Sequence, residues 1–332
     1  MTMTFFLAGD IGGTKTLLSI SSADERAPLL QKSYQSSAYA GLAEMVDAFL
    51  AEAGIRDIDA ACFALAGPVT ERVVKLTNLP WVVDGDALAA RFAIKRVSLI
   101  NDFEAAGYGV ALLQAADLLT LQAGAEQVQG VRLVVGAGTG LGVACLSSQA
   151  DAYRVLPSEG GHMDFAPADD MQCLLLRYLQ HRHGHVSYER IVSGPGLISI
   201  FEFMRDTLLA TPSPQLLAAM DEGDAAAAIG QFSQRGNEPI ARMTVDLFLS
   251  VYGAFVGNMA LAVLPRGGIY VAGGIAAKMA AQMQGGEFLN AFLSKGRFGG
   301  LLAALPLHIV LNPNVGLLGA NLCAQHHISY GL

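Results

Sequence analysis

The run "LAGDIGGTKTLLSI" (Leu7–Ile20) returns in altered form as "RLVVGAGTGLGVACL" (Arg132–Leu146). No other feature constrains the fold as much, because an internal repeat sets the architecture. Each copy reads as an apolar strand, a Gly/Thr turn and an apolar return. The first copy is close to a Walker A loop, G-x-x-x-x-G-K-[ST]. There Thr14 stands where a glycine must precede Lys15 and Thr16, and "TLLSI" continues as a strand without a helix-start signal. The second copy is not a dinucleotide fingerprint, which would need Gly at Leu141. The repeat therefore predicts two strand–turn–strand hairpins. Their glycines let backbone N–H groups approach phosphate oxygens with no side chain in the way.

A chain of 332 residues exceeds what one small core needs, which predicts two domains. Hydrophobic residues make up 52% and charged residues 15%, so burial is ample and disorder is not expected. A formal net charge of −8 provides no basic face and argues against nucleic acid or an anionic membrane as partner. Cys62, Cys145, Cys173 and Cys323 never form C-x-x-C, which suits reduced thiols in the cytoplasm rather than disulfides or zinc. The start "MTMTFFLAGD" lacks the basic region of a signal peptide. Leu247–Leu264 has the length of a membrane span, but it carries Ser250 and Asn258 and lies between Asp246 and Arg266. It is read as a buried core helix in which Gly253 and Gly257 permit close packing.

Strands and helices alternate along the chain, predicting an α/β fold. Leu42–Ala53 has helical spacing and stops at Gly54; "AACFALAG", "RVVKLTN" and "RVSLI" read as strands, and "DGDALAARF" as a helix. The character changes near Leu113. Ile269–Ala272 reads as a strand meeting Gly273 and Gly274 before a helix. Thr211–Pro239, rich in Ala, Asp and Gln, reads as a peripheral helical region.

Four groups of residues can carry chemistry. Asp10, at the end of the first strand, is placed to hold Mg²⁺ through water, beside the turn glycines Gly12 and Gly13 and Thr14. Gly273 and Gly274 would set a helix N-terminus against a nucleotide. Asn101 and Asp102 lie where a strand gives way to a helix, the ligand edge of α/β sheets. One of the two suffices as N-cap, which leaves the other unexplained. Glu159, His162 and Glu189 lack metal-ligand spacing. Two acceptor carboxylates with an imidazole and the Asn101 amide suit a ligand bearing many hydroxyls. Glu189 followed by Arg190 also admits a plain surface ion pair.

The ordered set "GDIGGTKT", "NDFEAAGYG", "GAGTGLGVA", "SEGGHMDFAP", "ERIVSGPGL" and "VAGGI" resembles the bacterial glucokinase family over roughly Leu7–Leu318. The resemblance implies a two-domain actin-like ATPase fold of the ribonuclease H type, with duplicated phosphate-binding hairpins and an active-site cleft between domains. It further implies a small domain of 1–112 plus 303–332 and a large domain of 113–302. By resemblance the chain phosphorylates D-glucose from ATP with Mg²⁺, and Asp102 is the general base. Asn101, Asp102, Glu159, His162 and Glu189 are then the sugar set. Gly9, Asp10, Ile11, Gly12, Gly13, Thr14, Gly138, Thr139, Gly273 and Gly274 form the ATP grip. A cytoplasmic homodimer is implied as well. Lys15, Ser158 and the middle of "TNLPW" depart from the family pattern. "MDFAPADDMQC" has one cysteine, which separates the chain from the zinc-binding repressor/kinase branch. Another hexose or an amino sugar as substrate, and a sugar sensor without turnover, are the competing readings.

Overall fold

The computed structural model describes residues 4–23, 28–67, 69–76, 79–149, 152–207 and 209–326. The chain forms two compact units, one of 1–114, 151–157 and 312–332 and the other of 115–150 and 158–311.

The first unit opens with the hairpin β1 (Phe5–Ile11) and β2 (Lys15–Ser22), followed by β3 (Leu30–Gln35). β4 (Ala60–Leu65), the short ribbon of β5 (Val73–Lys75) and β6 (Val82–Asp84), and β7 (Arg96–Asn101) follow. "RVVKLTN" is thus a strand only over Val73–Lys75; Thr77 and Asn78, which also begin "TNLPW", lie outside the described residues. The main sheet runs β3-β2-β1-β4-β7, with β1 antiparallel to β2 and parallel to β4, and β4 parallel to β7. Every residue of β4 is buried, as a central parallel strand with both faces covered requires.

Helix α1 (Leu42–Ala53) buries Leu42, Met45, Val46, Phe49 and Leu50, the stripe its spacing predicts, and ends at Gly54 with φ +64°. α2 (Gly85–Phe92) is capped by Asp84, whose side chain accepts the N–H groups of Asp86 and Ala87. α3 (Asp102–Val110) follows β7 without a loop. The C-terminal helix, Val315–His326, packs on α3 at glycine contacts. A Cβ on Gly109 would fall 1.9 Å from the Val315 carbonyl oxygen, so the two backbones touch and only glycine fits.

The second unit repeats the design. Its strands are β8 (Leu118–Gln122), β9 (Arg132–Ala137), β10 (Leu141–Gln149), β12 (Ile269–Ala272) and β13 (Leu307–Val310). β11 (Ala152–Ser158) leads into Glu159. β9 and β10 form the antiparallel hairpin, β12 lies parallel to β9, and β13 parallel to β12. A hairpin flanked by two parallel strands on the side of its first strand is the arrangement of the first sheet. The duplication legible at the two turns thus extends to the sheets. Because Leu307–Val310 pairs with β12 and β8, it belongs to this sheet, and the return to the first unit begins at Asn312 rather than at 303.

Helices α4 (Asp170–His183), α5 (Gly194–Asp206), α6 (Pro214–Glu222), α7 (Ala225–Arg235) and α8 (Pro239–Val263) complete the frame. α8 is long and apolar enough to span a bilayer, yet 72% of its most apolar window is buried inside the protein. Gly253 and Gly257 bring it against the carbonyls of Phe288 and Phe292, where a Cβ would fall 2.0 and 2.6 Å from the oxygens.

Candidate functional site

In the first unit the β1–β2 turn is closed by the Gly12 N–H donating to the Lys15 carbonyl at 3.1 Å. Ser36 pins it from the side: its hydroxyl donates to the Gly12 carbonyl at 2.8 Å and its N–H to the Thr14 carbonyl at 3.0 Å. Thr16 joins the same network through its hydroxyl, 3.0 Å from that of Ser36. No sequence pattern announces Ser36, since a lone serine in a polar stretch is ordinarily a surface residue. Gly9 is buried, and a Cβ there would strike the Phe63 ring at 2.7 Å. Ile11 is core, whereas Gly13 and Thr14 stand at the tip of the turn.

Asp10 and Asp102 feel each other electrostatically. Burial, then the charge of Asp102, pushes the Asp10 carboxyl up to about 6, with Lys15 pulling it down. Lys15 thus acts directly on this carboxylate. Gly316, second in the C-terminal helix, leaves room for it: a Cβ there would lie 2.9 Å from Asp10 Oδ2. A carboxylate disfavoured as an anion by its surroundings is one that a cation relieves. Among the described residues no three His, Cys, Asp or Glu side chains gather as a metal cage. The single Asp10 carboxylate would be one ligand for Mg²⁺, an ion that keeps several of its waters.

Asn101, not Asp102, caps α3. Its side-chain oxygen accepts the N–H groups of Phe103 at 2.8 Å and Glu104 at 3.4 Å, and its amide reaches the Gly67 carbonyl at 3.4 Å. Glu104 closes a capping box by accepting the Asn101 N–H; burial raises its carboxyl, and that bond draws it back down. Asp102 Oδ1 accepts the Phe103 N–H at 2.9 Å, which orients the carboxylate at the first turn.

In the second unit the Gly138 N–H donates to the Gly140 carbonyl and the Gly194 N–H to the Gly138 carbonyl, both at 2.8 Å. Gly273 adopts φ +89°, and a Cβ on it would fall 2.5 Å from the Ala137 oxygen, so β12 meets the hairpin backbone to backbone. A cavity of about 690 Å³ opens here, lined by Gly138, Thr139, Gly194, Gln231, Gly274 and Lys278 among others. That size suits a nucleotide. Gly194, Gln231 and Lys278 were not legible as site residues. The "SGPG" run does signal a helix start, with Ser193 as cap and Pro195 in the first turn. Thr211–Pro239 is not peripheral: α7 within it forms one wall of this cavity. Its alanine-rich face gave no hint of that, because small residues line pockets and pack against helices alike.

Glu159, His162 and Glu189 come together. His162 lies between the carboxylates, with Nε2 3.9 Å from Glu159 Oε2 and Nδ1 3.9 Å from Glu189 Oε1. The two loops are joined by the Tyr188 N–H to the Met163 carbonyl and the Phe165 N–H to the Val186 carbonyl, each at 3.0 Å. His185 and Asp164 add a contact of 2.5 Å at the same seam. Ser158 accepts the Gly160 N–H at 3.0 Å and so holds the Glu159 loop. Glu189 is not spent on Arg190; its Oε2 accepts the Leu141 N–H at 2.9 Å.

A family model described as Glucokinase matches residues 7–327. The chain belongs to the glucokinase family. A glucokinase of Nostoc sp. is 46% identical over 339 residues, covering 97% of this chain and 99% of the relative. One of Tolumonas auensis is 33% identical over 327 residues, 98% of each. The crystal structure of a glucokinase from an Antarctic psychrotroph superposes with TM-score 0.83 at 28% identity, over 97% of this chain and 98% of that one. A Streptomyces griseus ROK family glucokinase solved with glucose and AMPPNP gives 0.65 at 20% identity, over 97% and 99%. The fold is the actin-like ATPase fold, and the paired hairpin sheets are its two halves in a glucokinase-family chain.

Proposed function

We propose that this protein transfers the γ-phosphoryl group of ATP to the 6-hydroxyl of D-glucose. The observation that carries the reading is the division of labour at the start of α3, where Asn101 makes the cap and Asp102 presents a carboxylate that is oriented but not needed for capping. Kinship with curated glucokinases at up to 46% identity over nearly the whole chain supports the substrate.

Phosphoryl transfer rests on positioning and charge stabilisation rather than covalent catalysis. Asp102 takes the hydroxyl proton as the phosphoryl group arrives. The carboxylates of Glu159 and Glu189 accept from sugar hydroxyls, and the His162 ring and Asn101 amide complete the set. The Gly138–Thr139 turn and Lys278 line the cavity that would take the nucleotide, where the ammonium adds positive charge, and the Gly13–Thr14 turn would be a further phosphate contact by the family resemblance. Mg²⁺ held beside Asp10 would neutralise the β- and γ-phosphate oxygens. Four free cysteines suit a reducing cytoplasm, and a homodimer is proposed from the family resemblance.

A coupled assay with ATP, Mg²⁺ and a panel of glucose, mannose, fructose, glucosamine and N-acetylglucosamine tests the reading. Glucose is expected to lead in kcat/KM by at least ~10-fold, because a site built on hydroxyl contacts rejects analogues that misplace one. Preference for another sugar would overturn the glucose assignment, and no transfer to any would overturn the kinase.

A further inference from the structure

Glu189 faces two ways. Its Oε1 lies 3.9 Å from His162 Nδ1, among the sugar residues. Its Oε2 accepts the N–H of Leu141, the first residue of β10 after the phosphate turn, at 2.9 Å. Gly140 makes that approach possible, since a Cβ there would fall 2.6 Å from the same oxygen. The Leu141 carbonyl is engaged as well: a Cβ on Gly161, beside His162, would fall 1.9 Å from it. The segment carrying Glu189 is itself tied down, with the Ser193 hydroxyl donating to the Glu189 carbonyl at 2.7 Å and the Gly194 N–H to the Gly138 carbonyl at 2.8 Å.

We propose that Glu189 is a positioning residue for the second phosphate hairpin, and that through it sugar and nucleotide strengthen each other's binding. The inference rests on the kinase reading above and deepens it. An ionised acceptor on a backbone N–H makes a stronger bond than a neutral one, so Glu189 fixes the plane of the Gly140–Leu141 peptide. The N–H directions in the turn follow from that plane. A hydroxyl bound at Oε1 restricts the Glu189 side chain, and the nucleotide then meets a hairpin already ordered. Linkage makes the gain reciprocal.

Two substitutions separate this role from sugar contact alone. Glu189→Gln keeps an acceptor of the same length for Leu141 and alters the face toward His162. Glu189→Asp keeps the charge but is one methylene too short to reach the N–H. AMPPNP is titrated calorimetrically without sugar and again at saturating glucose. Without sugar, E189Q, which keeps a neutral acceptor for the Leu141 N–H, is expected to bind AMPPNP about two- to fourfold more weakly than the unsubstituted protein, and E189D, which loses the charge-assisted bond altogether, about tenfold more weakly or worse. Glucose should tighten AMPPNP binding several-fold in the unsubstituted protein and leave E189D unchanged. Equal AMPPNP affinity in all three proteins, or equal loss in both variants, would overturn the proposal. Should E189D not fold, absence of a glucose effect in the unsubstituted protein overturns the coupling by itself. The sugar-free titration reads the hairpin directly, so a protein that binds AMPPNP but phosphorylates no sugar would sink the kinase reading alone.

Discussion

Gly319 of the C-terminal helix rests on the carbonyl of Ala105 in α3, so close that a Cβ would fall 1.7 Å from the oxygen. This contact holds together the helix that begins beside Asp10 and the helix that begins with Asp102. Gly319→Ala is expected to force the helices apart, destabilising the protein by roughly 1–3 kcal/mol. It should lower kcat as well, because the carboxylates separate with their helices. Urea unfolding and steady-state kinetics check both, and unchanged stability would mean the contact yields without strain.

Asp102→Asn should lower kcat at least ~10²-fold while the melting temperature stays close to that of the unsubstituted protein. The α3 cap is made by the Asn101 oxygen, and an Asn at position 102 keeps an acceptor for the Phe103 N–H. Near-normal turnover would remove Asp102 from its role as base.

Asn101→Ala separates the neighbouring roles. Loss of the cap should cost about 1 kcal/mol of stability and raise the glucose KM. Asn101→Asp retains the cap oxygen but loses the amide donor that reaches Gly67. It should restore the stability and not the sugar affinity. If it restores both, the amide plays no part in sugar binding.

The Asp10 carboxyl at about 6 gives a pH signature. Its folded value is raised above the unfolded one, so the folded state binds the proton more tightly. The resulting relative stability is present below the unfolded pKa near 4 and is lost as pH rises through 6. At neutral pH the ionised, crowded carboxylate is therefore a burden. Asp10→Asn is expected to raise stability at pH 7 by roughly 1–2 kcal/mol, after allowance for partial exposure, and to make no difference near pH 4. The same group must be ionised to serve a cation, so KM for the Mg–nucleotide should climb below pH 6. Denaturation of both proteins at both pH values reads the first effect and kinetics the second; a larger gain of the Asn variant over the unsubstituted protein at pH 4 than at pH 7 would reverse the sign and refute it.

Lys278 lines the same cavity as the Gly138–Thr139 turn and Gly274. Lys278→Met should raise the ATP KM about tenfold or more if the ammonium bonds the nucleotide directly, by the ~1.5–3 kcal/mol ascribed to hydrogen bonds with charged groups, and several-fold where water intervenes. The glucose KM should not move. A shift in both would place Lys278 in the frame rather than at the nucleotide.

Much of this protein is written locally. Both hairpins, the limits of Leu42–Ala53 with its Gly54 stop, the strand Ile269–Ala272 and its glycine pair follow from apolar periodicity and turn chemistry. Each depends on residues within one element of each other. Other features depend on separate segments that meet only in space. Ser36 becomes a clamp because it lies beneath the first turn, and Gly316 becomes obligatory because Asp10 needs the space above it. α7 becomes a wall of the cavity through the packing of α5 and α8 around it, although its own sequence is unremarkable for any helix. Leu307–Val310, not singled out in the sequence, becomes a strand of the second sheet through its pairing with β12. Local chemistry selects conformations of short segments, whereas packing and backbone-to-backbone approach decide which segments meet.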